Sequence, residues 1–415
     1  MKNNVFSQTV QQHLCISCSA CEVVCPTKAI KMTFDKGHHQ PLVLDDLCTD
    51  CGICLKICPS YHVDLKNKSV DTLFYQSDGD SYIVQAKNKD ILKNSTSGGF
   101  ITQLILHLIS ENVYNKAAVL HIDDFNNLNP YIDIKQSVDD IKKAAKSKYV
   151  PVSVAKILAY IQENKNEKVI IVGTPCQFYA IQSFIKLKKL NIDNYLFIGL
   201  FCDKVLNVNI FRYFEYRFGK FLAFEFRSKE KDGWPGHTKL IFKQNFKFVD
   251  KDVRMTMKQF FQMNRCRVCI DKLNNLADIS CGDCYIEKDT DMTEGYSNII
   301  VKTKKGAETF GLVKDLFVSQ AINTQEILDT QELYNKKSNL VRAVKLYPTM
   351  YVNAPEMQDS FDYELEKKDY KRLMLGANMI DKKSYKELDA IIYQKVPIFT
   401  QIKRYIKKLI GYKQK

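Results

Sequence analysis

No stretch of this chain is long and apolar enough to suggest a membrane span. Its most apolar segments, 100–109 and 195–201, have the lengths of a buried helix and a buried strand. The first 14 residues lack the apolar core of a secretory signal, so a cytoplasmic location is expected. Acidic residues are in deficit: 47 Asp and Glu stand against 61 Lys and Arg, a formal net charge of +14. Such an excess suits nucleic acid, but no recognisable nucleic-acid-binding motif accompanies it, and no nucleic-acid partner is expected. Acidic proteins, anionic membrane and phosphorylated cofactors are the other partners that a basic surface attracts. Tryptophan occurs once. Trp234 lies between Gly233 and Pro235, where it would serve as a stacking surface for a flat cofactor or as a core anchor for the strand expected over 237–242.

Cysteine, by contrast, is plentiful, with 14 residues. Cys15, Cys18, Cys21 and Cys25 precede Pro26, and Cys48, Cys51, Cys54 and Cys58 precede Pro59. Both runs read C-x2-C-x2-C-x3-C-P, the spacing of a bacterial ferredoxin with two 4Fe–4S clusters. Three thiolates of each run wrap one cluster and the fourth serves the other. Cys15, Cys18, Cys21 and Cys58 are thus expected on the first, and Cys48, Cys51, Cys54 and Cys25 on the second. The crossover matters because a module of about 60 residues buries little core, and metal supplies the missing stability. Zinc sites use two separated pairs, a poorer match to this spacing. Thiols in this number fit a reducing compartment. The tandem His38 and His39, in the loop between the two halves, read as solvated, because the clusters are complete without them.

The segment 66–80 is polar and reads as a linker, and 81–87 alternates as a short strand. Next, Ser95-Thr96-Ser97-Gly98-Gly99 precedes a run with apolar residues at helical spacing. Ser97 is placed to cap that helix. The glycines would let a ligand approach its N-terminus, so the turn is either a plain cap or a phosphate site. Strands are expected over 168–172 and 195–201, joined by a helix over 178–190, which makes a parallel β-α-β unit. Cys176 and Cys202 then fall at the carboxyl ends of two strands, where α/β sheets place ligands. Cys266 and Cys269 form a further spaced pair. A strand over 277–280 is followed by Cys281-Gly282-Asp283-Cys284, read as a turn, and 295–306 reads as a strand and turn. Four of the six remaining cysteines suffice for a third 4Fe–4S cluster. Cys176, Cys202, Cys266 and Cys269 are favoured, with Cys281 or Cys284 as possible replacements and inert burial as the plainer reading.

From about residue 346 the chain reads as a charged helical tail. In 399–415, Ile402, Tyr405, Ile406, Leu409 and Ile410 share one face, the rest is basic, and no acid occurs. Such a helix lies on an anionic surface, docks a partner, or packs on its own domain. Peripheral contact with the inner face of a membrane is the corresponding expectation.

Taken in order, STSGGF at 95–100, SKYVP at 147–151, VGTPCQ at 172–177, Cys202, FRSKEKDGWPG at 226–236, CRVCIDKLNNLADISCGD at 266–283 and YSNIIVKTKKG at 296–306 resemble the coenzyme F(420) hydrogenase/dehydrogenase beta-subunit family. The resemblance covers roughly 80–340 and is specific as a set. It implies FAD, a third 4Fe–4S cluster on Cys176, Cys202, Cys266 and Cys269, and flavin contacts from Ser95, Ser97, Gly98, Gly99 and Lys148. It also implies a hydride acceptor, a deazaflavin or another small molecule. Some relatives accompany surface-polysaccharide genes. Cys281 and Cys284 depart from the usual pattern.

The expected fold class is α+β. A ferredoxin-like module (1–65) and linker (66–80) lead into a mixed α/β flavin- and cluster-binding domain in two parts (81–160 and 161–345), ending in the tail (346–415). The expected function is that of an iron–sulfur flavoprotein oxidoreductase. It would exchange electrons with a carrier protein such as ferredoxin and a hydride with a small molecule. The alternative is an electron-transfer subunit of a larger redox complex, with no small-molecule substrate of its own.

Overall fold

The computed structural model describes residues 2–66, 68, 73–75, 79–122, 130–286, 292–355, 361–379 and 382–394. The strands are β1 (Ile30–Asp35), β2 (His38–Val43), β3 (Val63–Asp64), β4 (Asp80–Ala86), β5 (Lys116–His121), β6 (Tyr131–Lys135), β7 (Val169–Gly173) and β8 (Tyr195–Leu200). They continue as β9 (Ala223–Ser228), β10 (His237–Ile241), β11 (Phe246–Val249), β12 (Ile279–Asp283), β13 (Ser297–Val301), β14 (Phe317–Ile322) and β15 (Tyr351–Val352).

The apolar runs of β7 and β8 are buried almost throughout, as strands covered on both faces must be. They pair in parallel, Val169 opposite Tyr195 and Gly173 opposite Gly199, and the helix Pro175–Leu187 connects them. The expected β-α-β unit is therefore present. It forms the centre of an eight-stranded mixed sheet in the order β14-β4-β13-β12-β8-β7-β5-β6. Alternate residues face opposite cores. Val169, Ile171, Tyr195 and Phe197 pack on one side, and Ile170, Leu196 and Ile198 on the other. Strands from both 81–160 and 161–345 share this sheet, and the helix Ala155–Glu163 runs across the boundary. A smaller antiparallel sheet, β11-β10-β9, lies beside it.

The cysteine-rich N-terminal module packs into the same core. Ile16, Cys18, Ala20, Val24 and Ile57 belong to the cluster that covers β7 and β8. Val154 N donates to Cys18 O at 2.9 Å, and β3 pairs in parallel with β15. Short left-handed steps shape both cysteine loops: Ser17 and Ser19 in the first, Asp50 and Gly52 at the matching places of the second.

Several local expectations change. His38 and His39 open β2 of the β1–β2 hairpin instead of lying in a solvated loop, and burial lowers the His38 pKa to about 4. Cys281-Gly282-Asp283 continues β12, because parallel pairing with β8 and antiparallel pairing with β13 hold it extended. Gly306 lies within the helix Lys304–Val313 and not in a turn. In the tail, Tyr363–Ala377 and Lys382–Gln394 are helices. The basic segment 399–415 lies outside the described residues. No helix among the described residues is long and apolar enough to cross a membrane.

Candidate functional site

The two cysteine loops bring their thiols into two groups. The Cys21 thiol is close enough to feel Cys18, Cys15 and Cys58, with Cys54 a weaker neighbour, whereas Cys54 feels Cys51, Cys25 and Cys48. Each group combines three cysteines of one run with the last cysteine of the other. Burial pushes the Cys15, Cys18 and Cys58 thiols up to about 12. Such thiols stay protonated unless a cationic centre replaces the protons, which is the chemistry of metal loading. Ala29 N already donates to Cys25 Sγ at 3.2 Å.

A third group forms where the sheet ends. Cys176 is the second residue of the helix that follows β7, Cys202 lies just past β8, Cys266 is in the one-turn helix Asn264–Val268, and Cys269 follows that helix. The Cys202 thiol has Cys266, Cys176 and Cys269 around it, and burial raises it well above the ordinary thiol range. Val205 N donates to Cys266 Sγ at 3.4 Å, while Asn339 Nδ2 holds the Cys269 and Cys266 carbonyls at 2.8 and 3.3 Å. Cys18 of the N-terminal module feels Cys176, so the third group adjoins the first. Cys281 and Cys284 are not among the thiols around Cys202, although Cys281 lines the same cavity as Cys176 and Cys202. Cys281 faces Ser297 and Asp283 from within β12, and Cys284 is fully buried. Among the described residues, no three Cys, His, Asp or Glu side chains are arranged for a single metal ion. Ligands of a four-iron core stand wider apart than those of one ion.

Beside this third group lies a cavity of about 280 Å³, lined by Cys176 and Cys202 together with Ser95, Ser97, Gly99 and Lys148. A second hollow, of about 460 Å³ and edged by Lys142, Lys143 and Lys146, adjoins it. Gly98 is not part of the lining. Its N–H is held by Ser297 Oγ at 3.0 Å and its carbonyl by Ala86 N at 2.8 Å, and a Cβ there would stand 2.5 Å from Val84 O. Gly98 therefore has no free backbone donor to offer a ligand. Ser97 does not cap the following helix. Its Oγ bonds Ser297 Oγ at 2.9 Å, and Gly99, at φ +78, takes the cap position with no side-chain bond. The helix Phe100–Ser110 thus begins uncapped at the cavity, with Phe100, Ile101 and Thr102 in its wall. An uncapped helix start suits a phosphate.

The remaining candidates are internally engaged. Ser95 Oγ lies 2.7 and 2.6 Å from the carbonyl oxygens of Leu92 and Ser97, which share its one proton. Lys148 Nζ donates to the carbonyls of Ala144 and Ala145 at the end of the helix Val138–Ala144, and burial lowers its pKa to about 7. Trp234 does not line the cavity. It packs against Tyr285, ring centroids 5.4 Å apart, and its backbone bonds Thr293.

Several charged residues of this region were not singled out by the sequence. Arg227 bonds Asp283 and Tyr149 at the cavity wall, and its Nη2 has no partner. Lys229 Nζ ties Leu92 O, Ser97 O and Glu294 O, holding the serine turn in place. Lys336, 1% exposed, donates to Asp203 O at 3.3 Å, and its charge partly opposes the rise that burial gives the Cys202 thiol pKa. The available signals were weak: Arg227 and Lys229 sit in the FRSKEKDGWPG run, and Lys336 sits in an otherwise unremarked helix.

Comparison with known proteins gives three family matches. Residues 81–159 match the N-terminal region, and 166–328 the C-terminal region, described for the beta subunit of coenzyme F420 hydrogenase/dehydrogenase. Residues 14–61 match a 4Fe-4S dicluster domain. The chain is 25% identical over 261 residues to the coenzyme F420 hydrogenase subunit beta of Methanococcus voltae, covering 61% of this chain and 88% of that protein. It is 26% identical over 357 residues to the coenzyme F420-dependent sulfite reductase of Methanocaldococcus jannaschii, covering 80% of this chain but 50% of that longer protein. With the F420-dependent formate dehydrogenase subunit beta of the same organism it shares 24% identity over 235 residues, covering 56% of this chain and 60% of the relative. A chain in the F420-reducing [NiFe] hydrogenase complex of Methanosarcina barkeri has a similar fold, with a TM-score of 0.51 and 20% identity over 70% of this chain and 99% of that one.

Proposed function

The chain belongs to the coenzyme F(420) hydrogenase/dehydrogenase beta-subunit family and carries a 4Fe–4S dicluster domain, and from that premise we propose that it is an iron–sulfur flavoprotein oxidoreductase. In this reading the eight N-terminal cysteines hold two clusters, Cys176, Cys202, Cys266 and Cys269 hold a third, and the cavity beside them takes FAD. Bound flavin would exchange single electrons with the clusters and a hydride with an organic partner. The observation that carries the reading is contiguity. Cys18 and Cys176 share one packed cluster, and Cys176 and Cys202 in turn line the cavity, so the first cysteine group, the third group and the cavity adjoin.

The chain's own residues would bind and orient. The uncapped start of the helix Phe100–Ser110 is placed for a flavin phosphate, with Ser95, Ser97, Gly99 and Lys148 shaping the wall. Arg227 Nη2 offers an unpaired donor at the same wall. Lys229 ties the serine turn to Leu92 and Glu294. The adjoining basic hollow fits an anionic hydride acceptor, a deazaflavin or another small molecule.

Electrons would be exchanged with a carrier protein such as ferredoxin. Several relatives are named as subunits of hydrogenases and dehydrogenases, which favours a second reading alongside the first, a subunit docked to a catalytic partner. We also propose that the basic segment 399–415 provides contact with an anionic surface, a partner or a cytoplasmic membrane face.

An anaerobic acceptor screen tests the enzyme reading. Chain reduced with dithionite and freed of excess reductant should reoxidise its flavin rapidly with one class of small molecule and slowly with the rest. Reoxidation only through added carrier protein, whatever the small molecule, would favour the subunit reading.

A further inference from the structure

Arg265 lies between two groups of cysteines that are far apart in the sequence. It directly precedes Cys266 in the one-turn helix Asn264–Val268 and is 5% exposed. Its Nη2 donates to the carbonyl of Pro59 at 2.9 Å, and Pro59 follows Cys58, the last cysteine of the N-terminal module. Its Nε and Nη1 have no hydrogen-bond partner. The Tyr351 ring lies on one side, its centroid 6.0 Å from Cζ. Cys58, Cys176, Cys266 and Cys269 all lie within electrostatic reach of the guanidinium.

The other arginine of the same turn is a useful contrast. Arg267 is also buried, but its Nη2 meets the Glu366 carboxylate at 2.6 Å. Arg265 has no such bond, and a buried cation with two orphaned donors is costly unless something anionic faces it. The group it feels most strongly is the Tyr351 hydroxyl, and after it come the Cys269, Cys176 and Cys266 thiols. Once these are ionised on iron, they and the cluster sulfides are the anions that a guanidinium fork can reach.

We propose that Arg265 is a positioning residue for electron exchange between the N-terminal module and the third cysteine group: its two unpartnered donors hydrogen-bond sulfur on both clusters, and its charge raises the potentials of both together. The proposal rests on the cluster reading given above. The direction follows from electrostatics. A fixed positive charge beside a cluster favours the state carrying one more electron, and hydrogen bonds to the sulfurs act in the same sense. A single charge shared by two clusters would shift their potentials in the same direction. The group formed by Cys25, Cys48, Cys51 and Cys54 shows no such contact with Arg265 and would be unaffected.

EPR-monitored potentiometric titration of the anaerobic full-length chain, with Arg265→Gln and Arg265→Lys alongside, tests this. Arg265→Gln should move two of three cluster potentials to more negative values and leave the third in place. Arg265→Lys should restore most of the shift. Iron analysis of the parent separates the two claims. Iron for about 8 atoms per chain instead of about 12 would sink the third cluster, and this proposal with it. Full iron with unchanged potentials in Arg265→Gln would overturn the Arg265 role alone. If Arg265→Gln loses its iron, pulsed EPR on the reduced parent labelled with ¹⁵N-arginine decides. Nitrogen couplings at two clusters are expected, and none at either would overturn the proposal.

Discussion

Cys176 and Cys281 both sit near the carboxyl end of a parallel strand, and they differ in what surrounds the sulfur. Cys176 has Cys269 and Arg265 for neighbours, whereas Cys281 has Ser297 and Asp283. Cys176→Ala should therefore cost about 4 iron atoms per chain, and Cys281→Ala none. Iron and sulfide analysis of the two variants, purified anaerobically, checks this. Equal losses from both would mean that Cys281 belongs to the third group. At this scale the sequence was legible where the chemistry is local. The C-x2-C-x2-C-x3-C-P runs fix their own geometry, and two strand ends plus a spaced pair identified the third group of thiols. Arg265, Arg227 and Lys336 were not legible, because nothing in their immediate sequence tells a buried cation from a surface one. Their burial follows from which elements fold over them.

The serine-glycine turn before the helix Phe100–Ser110 shows how elements redistribute local roles. Ser97 has the chemistry of a cap, yet pairing of β4 with β13 brings Ser297 within reach and takes its hydroxyl. Gly98 has the look of a phosphate-binding glycine, but the backbones of Val84 and Ser297 crowd it on the side where a Cβ would point. Gly98→Ala is thus expected to cost about 1–3 kcal/mol of stability through overpacking. It should leave the flavin content of the folded fraction unchanged. Thermal unfolding and flavin release measured on the same sample check this. Normal stability with lost flavin would return Gly98 to the binding surface. The same tertiary override extended β12 through Asp283 and placed His38 and His39 in a hairpin. Strand pairing satisfies backbone groups that a turn reading leaves to solvent, and a sequence does not display its pairing partners.

Across the whole molecule, the N-terminal module is part of the main core. Ile16, Ala20, Val24 and Ile57 share a cluster with the residues covering β7 and β8, and β3 pairs with β15 from the far end of the chain. The composition and the order of motifs suggested a division into module, mixed domain and tail but gave no sign of the docking between them, since it depends on contacts such as Cys18 O with Val154 N and Pro59 O with Arg265. This docking gives the three cysteine groups and the cavity their continuity, and the account stands on it. The measurement that tests it most directly is the cofactor content and reductive titration of the intact chain under anaerobic conditions. About 12 iron, about 12 sulfide and about one flavin per chain are expected, with the flavin bleaching as the clusters are reduced. A chain that holds iron for only two clusters and no flavin would contradict the account.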